Sequence, residues 1–197
     1  MIPNRRKICL LDDNFFGYPK WRECLLQLQE TGKPFTFKQG LDERLLTNEK
    51  CALLCQSKYD GAITFAFDRL EDYRIIEKKL KLLREYTDKR IMFYVLVGYE
   101  SQDEHDIESA FLRIELLMQY RCIPYIMRFD AYKKSPYRGM YIALANWCNQ
   151  KQFFLKTTFR EFCYAKGAHC ANVRYMQAFE EMHPQIAARF FDMRFPT

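Results

Sequence analysis

This chain predicts an α/β fold built on about five parallel strands, with a helical tail after them. Three observations carry that prediction. Five short apolar runs recur: Ile8-Cys9-Leu10-Leu11, Phe35-Thr36-Phe37, Ala62 to Phe67, Ile91 to Val97 and Tyr125 to Phe129. Stretches of helical pattern separate them, and short buried strands alternating with helices make a parallel sheet. Each run also stops at polar residues, and parallel α/β sheets carry their chemistry at the carboxyl ends of the strands. Five strands are too few to close an eight-stranded barrel, so they form an open sheet or most of a partial barrel.

The elements follow in order. The first strand covers about 7–12. A helix from Lys20 to Glu30 carries the apolar stripe Trp21, Cys24, Leu25 and Leu28, and Thr31-Gly32-Lys33-Pro34 stops it. The second strand is about 34–38. Thr47 is a good N-cap for a helix that ends near Tyr59-Asp60-Gly61. The third strand, 62–67, leads into an amphipathic helix from Glu71 to Tyr86, with Ile75, Ile76, Leu80 and Leu83 at helical spacing. The fourth strand is 91–97, and its helix runs from Asp103 to Tyr120. The fifth strand is 124–129, with Pro124 at its first position, where a missing N–H costs least. A basic loop, Lys133 to Gly139, precedes a helix from Met140 to Asn149. In the tail, Thr158 caps a helix over 159–166 and Asn172 one over 173–182. Residues 1–150 then form the strand-bearing domain and 151–197 a helical extension.

The bulk numbers bound the class. At 197 residues, 49% apolar and 16% aromatic, the chain can bury one good core and is not disordered. Its 31 basic and 25 acidic residues leave +6, which is compatible with nucleic acid or another anionic partner. No apolar run approaches membrane-spanning length. The apolar stretch after the basic start ends at Asp12, too short for a signal peptide. A cytoplasmic location with reduced thiols follows. The eight cysteines contain no C-x-x-C pair, so a zinc ribbon is not expected. Cys51 and Cys55 share a helix face with the look of packing, and Cys9 and Cys122 read as small hydrophobes at a strand.

The polar strand ends give Asp12, Asp13, Asn14, Gln39, Asp42, Arg44, Asp68, Glu100, Arg128 and Asp130 a common rim. Any one acid has an ordinary alternative as a helix cap, Asp68 and Asp103 above all. Acids at successive strand ends together indicate a site. The segment Gln39-Gly40-Leu41-Asp42-Glu43-Arg44 is the most specific. Gly40 implies a tight backbone or close ligand approach, and Arg44 offers a planar fork for a carboxylate or phosphate. Phe65, Phe67, Tyr94 and Tyr99 are aromatic walls or core.

Taken in succession, Leu10-Leu11-Asp12-Asp13-Asn14-Phe15, Phe37 to Leu46, Phe65-Ala66-Phe67-Asp68, Phe93 to Tyr99 and Pro124 to Arg128 resemble the radical S-adenosylmethionine superfamily, over about 8–165. The resemblance is to its bacterial and phage members of unassigned substrate. It implies a partial (β/α) barrel of which this chain supplies strands two to six. It implies that Asp12, Asp13 and Asn14 receive the amino group of S-adenosylmethionine. Asp68, Gly98 and Tyr99 would flank the ribose and carboxylate, with Arg44 a candidate for the carboxylate. Gln39, Asp42 and Arg128 complete the expected cofactor-binding set.

The sequence departs from the family in one respect. The family's first strand precedes a C-x-x-x-C-x-x-C loop whose thiolates hold a four-iron four-sulfur cluster. Cys51-Ala52-Leu53-Leu54-Cys55 begins with that spacing, but position 58 is lysine and the segment is helical. The expectation is therefore a fragment or split enzyme, inactive alone and completed by a polypeptide carrying the cluster motif. A strand edge left open in this way invites a partner.

Two other readings compete. A nucleic-acid-binding module would use Lys133, Lys134 and Arg138 with the tail residues Lys156, Arg160, Lys166, Arg174, Arg189 and Arg194 among aromatics. A metal-dependent hydrolase would use the acids as ligands, but His105, His169 and His183 are scattered.

Overall fold

The computed structural model describes residues 6–12 and 14–196. Strands and helices alternate as β1 Ile8–Leu10, α1 Trp21–Glu30, β2 Phe35–Phe37, α2 Asn48–Gln56, β3 Ile63–Ala66, α3 Tyr73–Arg84, β4 Ile91–Val97, α4 Glu104–Gln119 and β5 Ile123–Arg128. Helices follow: α5 Arg138–Asn149, α6 Lys151–Phe154, α7 Phe159–Tyr164, α8 Ala171–Met182 and α9 Pro184–Phe190. The strands lie in two small sheets, β1-β2 and β3-β4-β5. No described helix is long and apolar enough to cross a membrane.

The chain divides into two compact units. One runs to Ala66 and resumes over Glu71–Met92; the other comprises Phe67–Leu70 and the residues from Phe93 onward. In the first unit β1 and β2 are parallel, with Ile8 opposite Phe35, Cys9 opposite Thr36 and Leu10 opposite Phe37. Single parallel bridges join Phe35 to Tyr59 and Leu41 to Phe65. Phe35, Phe37, Phe65, Leu25, Leu54 and Leu80 form the core. Thr47 caps α2, its hydroxyl accepting from the Lys50 N–H at 3.3 Å.

In the second unit β4 buries Phe93, Val95 and Val97 and leaves Tyr94 and Leu96 half-buried, the period of two of a strand with unequal faces. The Asp103 carboxylate caps α4 by accepting from the N–H groups of His105 and Asp106. Thr158 and Glu161 close a reciprocal capping box on α7. The tail helices pack on α4 through aromatic contacts, with Phe111 stacked on Phe190 at 5.6 Å between ring centroids.

Several boundaries moved. Pro124 is the second residue of β5, not the first. A 3-10 helix over Asp130–Lys134 takes in the first two residues of the expected basic loop, and α5 begins at Arg138, two residues before the expected Met140. Cys170, not Asn172, precedes α8. Helix α9 was unforeseen, although Pro184 stands at its first position, where its missing N–H is harmless. Cys9 is exposed instead of packed, whereas Cys122 is buried.

The edge of β5 is closed by one side chain. Asn149 on α5 accepts the Ile126 N–H at 2.7 Å and donates to the Ile126 carbonyl at 3.1 Å, as a neighbouring strand would. Asn149→Leu keeps the bulk and leaves both backbone groups unmatched. Its expected cost is ~1–3 kcal/mol, read by urea denaturation. An unchanged midpoint would show that the edge needs no such seal.

Candidate functional site

The most specific motif builds the end of β2. Gly40 sits at φ +89°, where an added Cβ would come within 3.2 Å of the Thr64 carbonyl oxygen. The close approach read from the sequence is thus an approach of backbone to backbone. It lets the Leu41 N–H donate to the same carbonyl at 2.8 Å. A 3-10 turn over Glu43–Leu45 follows, capped by Asp42.

Asp42 and Arg44 satisfy each other. One Asp42 oxygen accepts from the Arg44 backbone N–H at 3.0 Å and from its Nε at 2.9 Å, and the second accepts from Nη2 at 3.0 Å. Burial works against the Asp42 charge, but the hydrogen bonds and charge of Arg44 outweigh it and hold the carboxyl below its usual range. The fork expected to receive a ligand carboxylate is closed on its own turn, with Asp72 a further 4.0 Å contact. Nη1 stays on the outer side of the half-exposed guanidinium, 4.0 Å from Asp72.

Glu43 lies between them in the same turn. It is 5% exposed. Burial raises its carboxyl to about 7, against partial compensation from its own N–H and that of Ala66. No described Lys, Arg or His lies within ion-pair distance of it. The nearby amines are tied elsewhere: Lys50 Nζ donates to the Phe16 and Leu45 carbonyls at 3.0 Å each, and Lys79 Nζ to the Leu46 carbonyl at 2.6 Å. Lys50 also lies 5.2 Å from the ring centroids of Phe16 and Trp21. Burial first, and Lys79 second, lower its affinity for a proton.

At the end of β1, Asp12 is exposed and one of its carboxylate oxygens accepts the Asn14 N–H at 2.8 Å. Asn14 is exposed and presses on Gly17, where a Cβ would meet its side-chain nitrogen at 2.8 Å. Asp13 lies outside the described residues. Gln39 is exposed at the end of β2. The first unit therefore brings its predicted residues into two local turns, one around Asp12 and one around Asp42.

The second unit uses several predicted residues for its own architecture. The Asp68 carboxylate accepts the Leu96 N–H at 3.1 Å and does not cap a helix. Gly98, at φ +73° and packed on Tyr132, donates its N–H to Asp106 at 2.7 Å. Tyr99 is exposed, its ring edge-on to Phe129 at 4.9 Å. The Arg128 guanidinium lies 4.8 Å from the Tyr132 ring centroid. Glu100 pairs with Arg69 at 3.4 Å and Asp130 with Lys133.

Beneath these residues lie two buried charges that sequence reasoning missed. Asp106 also accepts from the Tyr141 hydroxyl at 2.8 Å. Arg113, 1% exposed, shares Nη1 among the carbonyls of Phe67, Asp68 and Leu96 at 3.0, 2.9 and 2.8 Å. Both lie on α4 with Ala110 and Leu117, at spacings of three and four. Polar residues continuing an apolar stripe were the available signal.

Three of the six tail cations expected at a nucleic-acid surface sit in ion pairs within the unit. Arg160 pairs with Glu180 and Asp192, Arg189 with Glu115, and Arg194 with Glu161. The thiols are poor ligands as they stand: burial pushes Cys51 up to about 11 and Cys163 to about 12, and raises Cys55 and Cys148. Among the described residues no three His, Cys, Asp or Glu are grouped to hold a metal.

No protein-family model matches this chain, and neither a curated protein nor a solved structure does.

Proposed function

We propose that this chain holds S-adenosylmethionine at its strand ends, as part of a radical S-adenosylmethionine enzyme with a partial (β/α) barrel. The observation that carries this reading is strand order. Within the first unit, strands consecutive in the chain are neighbours: β1 pairs with β2, and the Leu41–Phe65 bridge links the end of β2 to β3. A doubly wound sheet reverses its order at a switch point. Barrel winding does not.

The residues fit the cofactor in charge. S-adenosylmethionine carries a sulfonium and an ammonium. The first unit's strand ends carry exposed Asp12 and buried Glu43, neither of them paired to a described cation. In this reading Asp12 and Gln39 accept from the ammonium, while Gly40 keeps the turn close enough to β3 to present Glu43. The described residues do not fit an iron–sulfur cluster, because their thiols are scattered or held protonated by burial. The cluster, which supplies the electron for reductive cleavage of the cofactor in this superfamily, would have its ligands on another segment or polypeptide.

Calorimetric titration of the full chain tests the reading. S-adenosylmethionine is expected to bind saturably. S-adenosylhomocysteine, which lacks the sulfonium charge, should bind about tenfold more weakly, a difference of ~1.4 kcal/mol. No saturable binding at millimolar S-adenosylmethionine overturns it.

A further inference from the structure

Glu43 is a buried carboxyl that the fold leaves without a cation. The groups that favour its charged form are its own N–H, the N–H of Ala66 and, more weakly, the charge of Arg44. The charged groups around its turn are Asp42 and Arg44 beside it, Lys50 on α2, and Asp72 and Lys79 from the α3 side. None neutralises it. Asp42 and Arg44 are paired with each other, Asp72 touches Arg44, and the two lysines are bound to carbonyls. Asp42 adds repulsion, which the charge of Arg44 only partly offsets. Burying a carboxyl in this way costs stability unless a charge from outside completes it.

Its position indicates where that charge enters. Glu43 follows the Gly40–Thr64 contact and the Leu41–Phe65 bridge, which set its turn beside the end of β3. It therefore lies at the carboxyl ends of two neighbouring parallel strands, where parallel folds receive ligands.

We propose that Glu43 is the counter-charge for a cationic ligand at the strand ends of the first unit, and that binding is coupled to release of one proton from it. The inference rests on the cofactor reading above and takes S-adenosylmethionine as the ligand. The balance is simple: the protonated carboxyl gives its proton to buffer, and the carboxylate stays to face the cation. An opposite charge within a few ångströms favours the ionised form. The protein group titrates near neutrality, raised to about 7. The ligand's own α-amine, ordinarily about 7.7–8.0, stays protonated at pH 6.5.

The test is calorimetry of the full chain with S-adenosylmethionine at pH 6.5 in phosphate and in imidazole, whose ionisation heats differ. The expected difference corresponds to roughly half to one proton released per ligand, and affinity should rise roughly 20-fold from pH 5.5 to 7.5. Glu43→Gln should abolish both. Saturable binding with equal heats in the two buffers overturns the inference and leaves the cofactor reading standing. The buffer comparison needs no variant, so it holds even if Glu43→Gln folds poorly. Absence of saturable binding overturns the cofactor reading and this one with it.

Discussion

Glu43→Gln should gain about 3 kcal/mol of stability relative to the wild type between pH 4 and pH 8. The carboxyl titrates at 4.5 when unfolded and about 7 when folded, raised chiefly by burial. Below 4.5 both states are protonated and the group costs nothing. Between 4.5 and 7 the unfolded chain ionises while the folded chain keeps its proton, so stability falls as pH rises and then levels off above 7. Glutamine has no proton to lose. The difference between the two proteins should therefore open across that window alone, whatever other groups do. Urea denaturation at several pH values measures it. A constant difference from pH 4 to 8 would mean that Glu43 is not held protonated by the fold.

A larger loss is expected at Arg113→Met. Arg113 is the common donor to the Phe67, Asp68 and Leu96 carbonyls, with its Nε also on the Ser109 carbonyl at 3.2 Å. Burial lowers the proton affinity of the guanidinium, and the charge of Asp106 partly offsets this. Methionine fills much of the same space but donates nothing, leaving carbonyls unmatched and Asp106 short of a nearby cation. The cost should be ~3–5 kcal/mol, and the urea midpoint should fall by roughly 2 M. A loss below about 1 kcal/mol would mean that water takes over the guanidinium's role.

Local chemistry was legible. Thr47, Asp103 and Thr158 were each readable as helix caps, since a cap needs only a short side chain and an N–H two or three residues on. The bounds of β4 were readable too, because seven residues of apolar pattern between turns admit little else. The pairing of Asp42 with Arg44 is equally local, because an acid two residues before an arginine on a tight turn can take both its backbone N–H and its guanidinium. Asp68 was harder: its partner is the N–H of Leu96, 28 residues away, and no spacing rule reaches that far.

The residues alone settled the alternation of strand and helix and the caps at Thr47, Asp103 and Thr158, because each depends on neighbours a few positions apart. Only the folded chain decided which charges are buried. Glu43 looks like any other surface acid in a charged run until β3 brings the Ala66 N–H to it and leaves Lys50 and Lys79 on other acceptors. Arg113 gains its meaning from carbonyls up to 46 residues away. Burial and counter-charge depend on which elements meet, and that is set by packing over the whole unit, which no short window of sequence contains.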